Sequence, residues 1–183
     1  MVNIAPRHVL TPHPQVMVAF TGLEGDVQSL SQDLLTEVTA KLGRALGFSV
    51  SSKTSSISPR AMASLASHIL YNRRQSPYYV EPLVVGLSTM ADGKHRPFLC
   101  ALDCIGAKSS SEAFVCGGAA CNSLYGTAEA LWEADLEPEE LAHVCGKAFQ
   151  SALERDCLSG YGSVVYLITK DGIVEYDLAS RND

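Results

Sequence analysis

RDCLSGYG, at residues 155–162, is the stretch that decides the fold. Apolar residues recur at helical spacing before it, from 141 to 153, and β-branched and aromatic residues dominate 164–168 after it. The pattern predicts that a helix ends and a strand follows at Asp156. From these residues alone, a structural corner in which Asp156 and Ser159 hydrogen-bond the turn backbone is favoured over an active site.

Outside this corner, helical and strand patterns alternate along the chain. Residues 1–15 have no clear pattern, and their three prolines exclude a helix. In the first part of the chain the pattern predicts strand 16–21, a helix from the N-cap Asp26 to about 45, a surface loop 48–58 and a helix from Pro59 to about 74. Strands 77–87 and 98–105, joined by an Asp-Gly turn, and strand 112–116 follow. The last part is predicted to form helix 120–132, a helix from Pro138, and hairpin strands 164–169 and 173–178. Antiparallel sheets with paired helices indicate an α+β layered fold, which we expect to be one domain over residues 1–183.

Composition and charge narrow the classes of function. The chain of 183 residues is 46% hydrophobic and 19% charged, with a formal net charge of -6. This acidic balance disfavours nucleic acid and anionic membranes as partners, and no apolar run approaches the length of a membrane span. Residues 1–7 lack the hydrophobic region of a signal peptide, so we expect an intracellular protein. No phosphate, dinucleotide or metalloprotease motif is present, and we expect no cofactor.

Six cysteines are the remaining candidates for metal ligands. Cys100 with Cys104, and Cys116 with Cys121, could form two loose pairs, but they lie on strand-like and helix-like patterns. A structural zinc site normally uses two pairs of closely spaced ligands. We therefore expect buried, reduced thiols and no metal site.

Several motifs, in order along the chain, resemble one known family. They are GLEGDVQ at 22–28, the segment 71–82, LDCIG at 102–106, LYG at 124–126 with LWE at 131–133, and RD at 155–156 with SGYG at 159–162. Together they resemble the β subunits of the 20S proteasome core particle, from about His8 to the C-terminus. Within that family, PYYVEP at 77–82 and SGYG at 159–162 are most similar to the non-catalytic third β-type subunits.

The resemblance implies a four-layer α-β-β-α sandwich with antiparallel sheets, of the N-terminal-nucleophile hydrolase type. It also implies two further strands ahead of His8, roughly thirty residues at usual strand and loop lengths. Seven residues precede His8 here, so we expect the N-terminal strands to be missing from this sequence. A sheet cut at its start would expose strand edges and apolar surface. Either the sequence does not begin at the true N-terminus, which we favour, or neighbouring subunits cover the gap.

The same resemblance assigns positions to a catalytic site. In catalytic relatives an N-terminal Thr attacks the peptide carbonyl, set up by its own amine, a Lys, an Asp and a Ser-Asp-Ser support. Asp156 and Ser159 match the supporting Asp and the second Ser. The first Ser falls at Ala119, which has no hydroxyl, and the Lys falls at His8, whose imidazole is uncharged for much of the time at neutral pH. The resemblance thus implies a catalytically silent subunit with vestigial site positions.

By resemblance, the partners are other proteasome α and β subunits in stacked seven-membered rings, and polypeptide substrates inside the chamber, in the cytoplasm and nucleus. Asp103 falls where related subunits present a residue to an adjacent substrate pocket, where its charge would favour basic side chains. The alternative is that Asp103 bonds its own turn. Two other functions stay open: an active threonine peptidase whose nucleophile is lost from this sequence, and a free-standing binding domain.

Overall fold

The computed structural model describes residues 8–46, 57–90, 93–159 and 162–178. Within these ranges the chain forms seven strands and four helices. They are β1 (Val9–His13), β2 (Val16–Gly22), α1 (Glu24–Leu46), α2 (Pro59–Asn72), β3 (Val80–Thr89), β4 (His95–Leu102), β5 (Lys108–Ser111), α3 (Cys121–Leu131), α4 (Pro138–Leu153), β6 (Ser163–Thr169) and β7 (Gly172–Leu178).

Strands β1 to β5 form one antiparallel sheet in sequence order. Successive side chains of a strand point to opposite faces, so alternate residues of β2, β3 and β4 share the face that α1 and α2 cover. The core between these elements includes Val16, Val18, Phe20, Val80, Val84, Cys100 and Leu102 of the sheet, and Leu30, Leu34, Met62, Ala66 and Leu70 of the helices. Helix α2 begins as predicted, because Ser58 accepts a hydrogen bond from the Ala61 N–H at 3.2 Å and Pro59 occupies the first turn.

The second sheet consists of β6 and β7, an antiparallel pair whose register ends at Thr169 and Gly172. Strand β6 contacts β3 of the first sheet and α4 on its other side, and α3 packs on α4. The layers are therefore helices, sheet, sheet and helices, which confirms the predicted α-β-β-α class. Gly146 lets α4 approach this sheet, since a Cβ there would lie 3.2 Å from Leu178 Cδ1. No helix in the described ranges is long and apolar enough to cross a bilayer.

The predicted corner between a helix and a strand is confirmed. Helix α4 ends at Leu153 and β6 begins at Ser163. The chain turns at once after the helix, where the Asp156 N–H donates to the Leu153 carbonyl at 3.0 Å. Gly160 and Tyr161, near the end of the quoted stretch, lie outside the described residues.

Two strand predictions were wrong. Residues 9–13, which show no clear pattern, form β1, and Pro12 lies within it. Because β1 is at the edge of the sheet, the missing proline N–H removes no central hydrogen bond. Residues 112–116 do not extend the sheet; the polar segment Lys108–Ser111 does so by pairing with β4. Polarity suits an edge strand exposed to water better than the apolar run does.

The start of the first helix also differs from the prediction. Helix α1 begins at Glu24, and Asp26 lies in its first turn instead of capping it. The Asp26 carboxylate accepts the Tyr79 N–H at 2.9 Å, which ties the helix to the segment before β3. The predicted surface loop at 48–58 lies almost entirely outside the described residues.

Candidate functional site

Asp156 and Ser159 form a compact hydrogen-bonded pair at the corner after α4. The Ser159 hydroxyl donates to Asp156 Oδ2 at 2.5 Å, and the Leu158 N–H donates to Asp156 Oδ1 at 3.1 Å. Both carboxylate oxygens are therefore used within four residues of sequence. The sequence predicts that both side chains hydrogen-bond the turn backbone; Asp156 does so through Leu158, and Ser159 bonds the Asp156 carboxylate instead.

These hydrogen bonds favour the ionised form of the Asp156 carboxyl. The Ser159 hydroxyl first, and the Leu158 N–H second, lower the pKa of Asp156 below its ordinary value. A carboxylate with a lowered pKa holds no proton at neutral pH and is a weak general base. The corner can therefore orient a neighbouring group, but by itself it moves no proton.

Ala119 lies in the exposed turn that precedes α3. Gly118 beside it has a positive φ of 91°, and a Cβ there would lie 3.3 Å from the Thr21 methyl group. The turn is thus held close to the end of β2. At this position the alanine methyl supplies neither a donor nor an acceptor, so no side-chain hydrogen bond can connect it to Asp156 or Ser159.

His8 is fixed at the start of β1 and faces an acidic neighbour. Its carbonyl accepts the Phe20 N–H at 2.8 Å, which attaches it to β2. Its Nδ1 lies 3.3 Å from Glu24 Oε2. The ring is 42% exposed, yet Nδ1 itself is shielded from solvent and its contact with Glu24 lacks hydrogen-bond geometry. The contact is therefore an electrostatic one, and it becomes an ion pair when the imidazole is protonated.

The His8–Glu24 pair cannot act as a fixed cation. With neutral imidazole the pair carries a net charge of -1, and with protonated imidazole it carries zero. A catalytic lysine would lower the pKa of a nearby nucleophile through its positive charge, and this pair provides no such field. Sequence reasoning identified His8 but missed Glu24. No local signal connects the two residues, because their contact depends on how β1 pairs with β2.

Asp103 directly follows β4 and organises its own turn. Its Oδ1 accepts the Ile105 N–H at 3.0 Å and the Ala107 N–H at 2.7 Å. The turn is fixed on α2, since the Ser67 hydroxyl donates to the Gly106 carbonyl at 2.6 Å. The geometry agrees with the structural alternative for Asp103, and its reach into an adjacent subunit's pocket stays a prediction.

A groove of about 310 Å³ opens beside this turn. Its lining includes two acidic side chains, Glu81 and Asp103, one basic side chain, Lys108, and the thiol of Cys116. The Lys108 ammonium also lies 3.5 Å from the Ser64 hydroxyl. Because the groove carries both acidic and basic side chains, its charge does not indicate a single class of ligand.

The cysteines differ in exposure more than the sequence predicts. Cys100 is buried, whereas Cys145 and Cys157 are exposed, so the prediction of buried thiols was wrong for these two. Helix α4 buries only small residues, and its helical spacing does not carry Cys145 into the core. Burial, followed by the nearby Cys121 and Cys145, raises the pKa of Cys116. Among the described residues, no group of three or more His, Cys, Asp or Glu side chains is arranged to hold a metal ion.

Two antiparallel sheets enclosed by helix pairs form an α-β-β-α sandwich, the architecture of the N-terminal-nucleophile hydrolase fold. The model of the proteasome subunit family matches residues 6–168. The chain therefore belongs to the proteasome subunit family.

Proteins similar to this chain include β type-3 subunits of the proteasome. Proteasome subunit beta type-3 of Oryza sativa subsp. japonica is 35% identical over 97% of this chain and 81% of its own length. Proteasome subunit beta type-3-A of Arabidopsis thaliana is 38% identical over 93% of this chain and 78% of its own. Proteasome subunit beta type-3 of Trypanosoma brucei brucei is 38% identical over 100% of this chain and 82% of its own. These comparisons confirm the predicted resemblance.

Proposed function

We propose that the chain is a non-catalytic β subunit of the proteasome core particle, which supports proteolysis by active neighbours. The similarity to β type-3 subunits over most of the chain supports its place in the β ring. Membership of the family implies assembly with other proteasome subunits. In the proposed arrangement these are α and β subunits in stacked rings of seven, acting on polypeptides inside the chamber in the cytoplasm and nucleus.

The observation that carries catalytic silence is the His8–Glu24 pair. Where a catalytic relative would hold an ammonium, this chain holds an imidazole whose Nδ1 lies 3.3 Å from a carboxylate. Ala119 adds a second deficit, because the position of a supporting hydroxyl carries only a methyl group. The hydrogen bond between Ser159 and Asp156 then stabilises only the corner after α4. The fold is kept while two of the supporting groups of the chemistry are replaced.

Asp103 is the candidate contact to an adjacent substrate pocket. One carboxylate oxygen is engaged by two backbone N–H groups, and Asp103 lines the open groove next to Lys108. A carboxylate anchored in this way keeps its orientation and can favour a basic side chain of a substrate held by a neighbour. Replacement by Asn would weaken cleavage after basic residues and leave other cleavages by the particle unchanged.

The test treats the intact particle, isolated from its source, with an electrophilic peptide that bonds covalently to a nucleophilic threonine. We expect intact-mass analysis to find the label on other β subunits and none on this chain. The variant Asp156→Asn is compared with the unaltered chain. Because Asp156 has no catalytic role in the proposed function, the particle that contains this variant should retain full peptidase activity. Label on this chain would instead support an active threonine peptidase. Recovery of the chain only as a free monomer would support a free-standing domain.

A further inference from the structure

The turn that follows α2 contains Arg73 and Arg74, the only pair of adjacent Lys or Arg residues in the sequence. Ser76 lies three residues after the first arginine and two after the second, and Pro77 follows it. No other serine or threonine of the sequence has an arginine two or three residues ahead of it. This motif belongs neither to the candidate functional site nor to the hydrophobic core.

Ser76 is exposed and lies outside regular secondary structure. Helix α2 ends at Asn72, and β3 begins only at Val80. The Ser76 N–H donates to the Arg73 carbonyl at 2.9 Å, which closes a turn. Because a residue before a proline is disfavoured in the helical conformation, Pro77 keeps α2 from continuing through Ser76. In the isolated chain another protein can therefore approach Ser76 from solvent.

Aromatic rings orient both arginine side chains beside this turn. The Arg73 guanidinium carbon lies 4.6 Å from the centre of the Tyr78 ring, and that of Arg74 lies 4.7 Å from the centre of the Tyr71 ring. Arg74 also donates to the Tyr71 carbonyl at 3.3 Å. A guanidinium that stacks on a ring can still present the N–H groups at its edge to a carboxylate or a phosphate. Two oriented cations thus lie in the same turn as Ser76.

Arg73 also connects α2 to α1. Its guanidinium lies 3.7 Å from Asp33 Oδ2, and the same oxygen accepts the Tyr78 hydroxyl at 3.0 Å. Both side chains of the ion pair are partly exposed, so water screens their attraction and the pair holds the arginine weakly. A stronger anion in the turn would compete with Asp33 for Arg73.

We propose that Ser76 is a phosphorylation site, which a protein kinase with an acidic substrate groove recognises through Arg73 and Arg74. Carboxylates of such a groove pair with the two guanidinium groups and repel the rest of a chain whose net charge is -6. The Ser76 Oγ attacks the γ-phosphorus of a magnesium-bound nucleoside triphosphate, and the bond from that phosphorus to its bridging oxygen breaks. Nucleoside diphosphate leaves, and the hydroxyl proton passes to the catalytic aspartate of the kinase.

The phosphate changes the contacts of Arg73. Phosphoserine carries a charge of about -1.5 to -2 at neutral pH and offers three strong acceptor oxygens, more than the carboxylate of Asp33 does. Its position is three residues from Arg73, in a turn that a hydrogen bond between the two residues already closes. The phosphate therefore draws Arg73 away from Asp33, which weakens the link between α1 and α2.

Phosphoryl transfer to the full chain tests the site. The tagged chain is incubated with a soluble extract of its source, magnesium, and ATP that carries heavy oxygen in its γ-phosphoryl group. Tryptic digestion after Arg74 and Lys94 releases residues 75–94, which include both Ser76 and Ser88. We expect the heavy phosphoryl group on Ser76, its loss in Ser76→Ala and its retention in the matched control Ser88→Ala. Ser88 has no basic residue two or three positions ahead of it.

The variant Arg74→Ala tests recognition by the arginine pair. Arg74 contacts Tyr71 and takes no part in the contacts of Arg73 with Asp33, so its removal leaves the link between the helices in place. We expect phosphorylation to slow about tenfold or more, as loss of a hydrogen bond to a charged group does. The matched control is Arg60→Ala, at an exposed arginine of α2.

Phosphorus NMR of the modified chain tests the new contact of Arg73. Pairing with arginine lowers the second pKa of phosphoserine below its ordinary value of about 6. This pKa should be lower in the folded chain than in the urea-denatured chain, and Arg73→Ala should remove most of the difference. Equal values in the folded and denatured chains would contradict the transfer of Arg73 from Asp33 to the phosphate.

The remaining outcomes decide whether the site and its recognition are as proposed. Absence of the heavy phosphoryl group from Ser76 overturns the proposal. Equal rates for Arg74→Ala and Arg60→Ala, with loss of the label in Pro77→Ala, would show a kinase that reads the proline and would overturn recognition through the arginines. The inference does not depend on the proposed function, which the electrophilic peptide tests separately in the intact particle.

Discussion

The two helical layers of the subunit differ in what they bury. Helices α1 and α2 bury large side chains, including Leu30, Leu34 and Met62, against the five-stranded sheet. Helix α3 buries none, and the buried residues of α4 are all small: Ala142, Gly146, Ala148 and Ala152. Since hydrophobic stabilisation scales with the apolar area removed from water, most of it comes from the first layer. One half of the subunit is held by its own core, and the other half keeps apolar surface available to neighbours.

The replacement Leu34→Ala tests the stability of the first layer. Leu34 is fully buried, so its truncation leaves a cavity and should lower the free energy of unfolding by about 2–5 kcal/mol. Urea denaturation of the full chain measures the effect. The matched variant in the second layer is Leu131→Ala, at a side chain that is 38% exposed, and we expect it to lower the free energy by less than about 1 kcal/mol. Equal decreases in the free energy of unfolding for the two variants would contradict the conclusion that most hydrophobic stabilisation comes from the first layer.

Gly106→Ala tests the turn that attaches the first sheet to α2. Gly106 has a φ of 85°, and a Cβ there would lie 2.4 Å from the Ser67 carbonyl oxygen. Backbone strain alone should lower the free energy of unfolding by about 1–3 kcal/mol, and the steric contact adds to it. The control is Gly93→Ala, where φ is 78° and no atom lies within 4 Å of the added Cβ. A smaller loss at Gly106 than at Gly93 would show that α2 and the turn move apart easily.

Local signals were enough to predict much of the first layer and the corner. Ser58 and Pro59 placed the start of α2, and the β-branched and aromatic run at 164–168 with the turn at 170–172 predicted the last hairpin, because caps and turns depend on adjacent residues. Strands β1 and β5 were missed, since an edge strand needs neither an apolar pattern nor an uninterrupted row of N–H groups. Their pairing partners, β2 and β4, decide that they are strands.

In the candidate site, too, contacts between residues close in sequence could be predicted, whereas contacts that depend on strand pairing could not. Asp156 and Ser159 are three residues apart, and their contact could be predicted from spacing in a turn. His8 and Glu24 are separated by β2, so their contact exists only after β1 pairs with it. The lack of burial along α3 could not be predicted either, because its apolar residues recur as in a helix that packs into a core. What covers such a face is a property of the assembly.

The smallest effect we expect is that of Ser159→Ala, which tests whether local bonds hold the corner of the second layer. Its hydroxyl is the main cause of the lowered pKa of Asp156, so the variant should raise that pKa toward the ordinary value. The control Ser29→Ala removes a hydroxyl bonded to the Gly25 carbonyl on α1 and should leave the pKa of Asp156 unchanged. Carboxyl NMR titration measures both variants.

The sign of the accompanying pH effect follows from the lowered pKa. Asp156 contributes stability above its unfolded pKa of about 3.9, and the contribution is lost as the pH falls through the lower folded value. In Ser159→Ala the folded pKa of Asp156 moves toward its unfolded pKa. The variant should therefore be less stable than the Ser29→Ala control at pH 7, and this difference should vanish in strong acid. A pKa that does not move in the variant would mean that the Leu158 N–H, and not the hydroxyl, holds the carboxylate. The corner would then be fixed by backbone geometry alone, and the match of Ser159 to a catalytic relative would have no physical role in this chain.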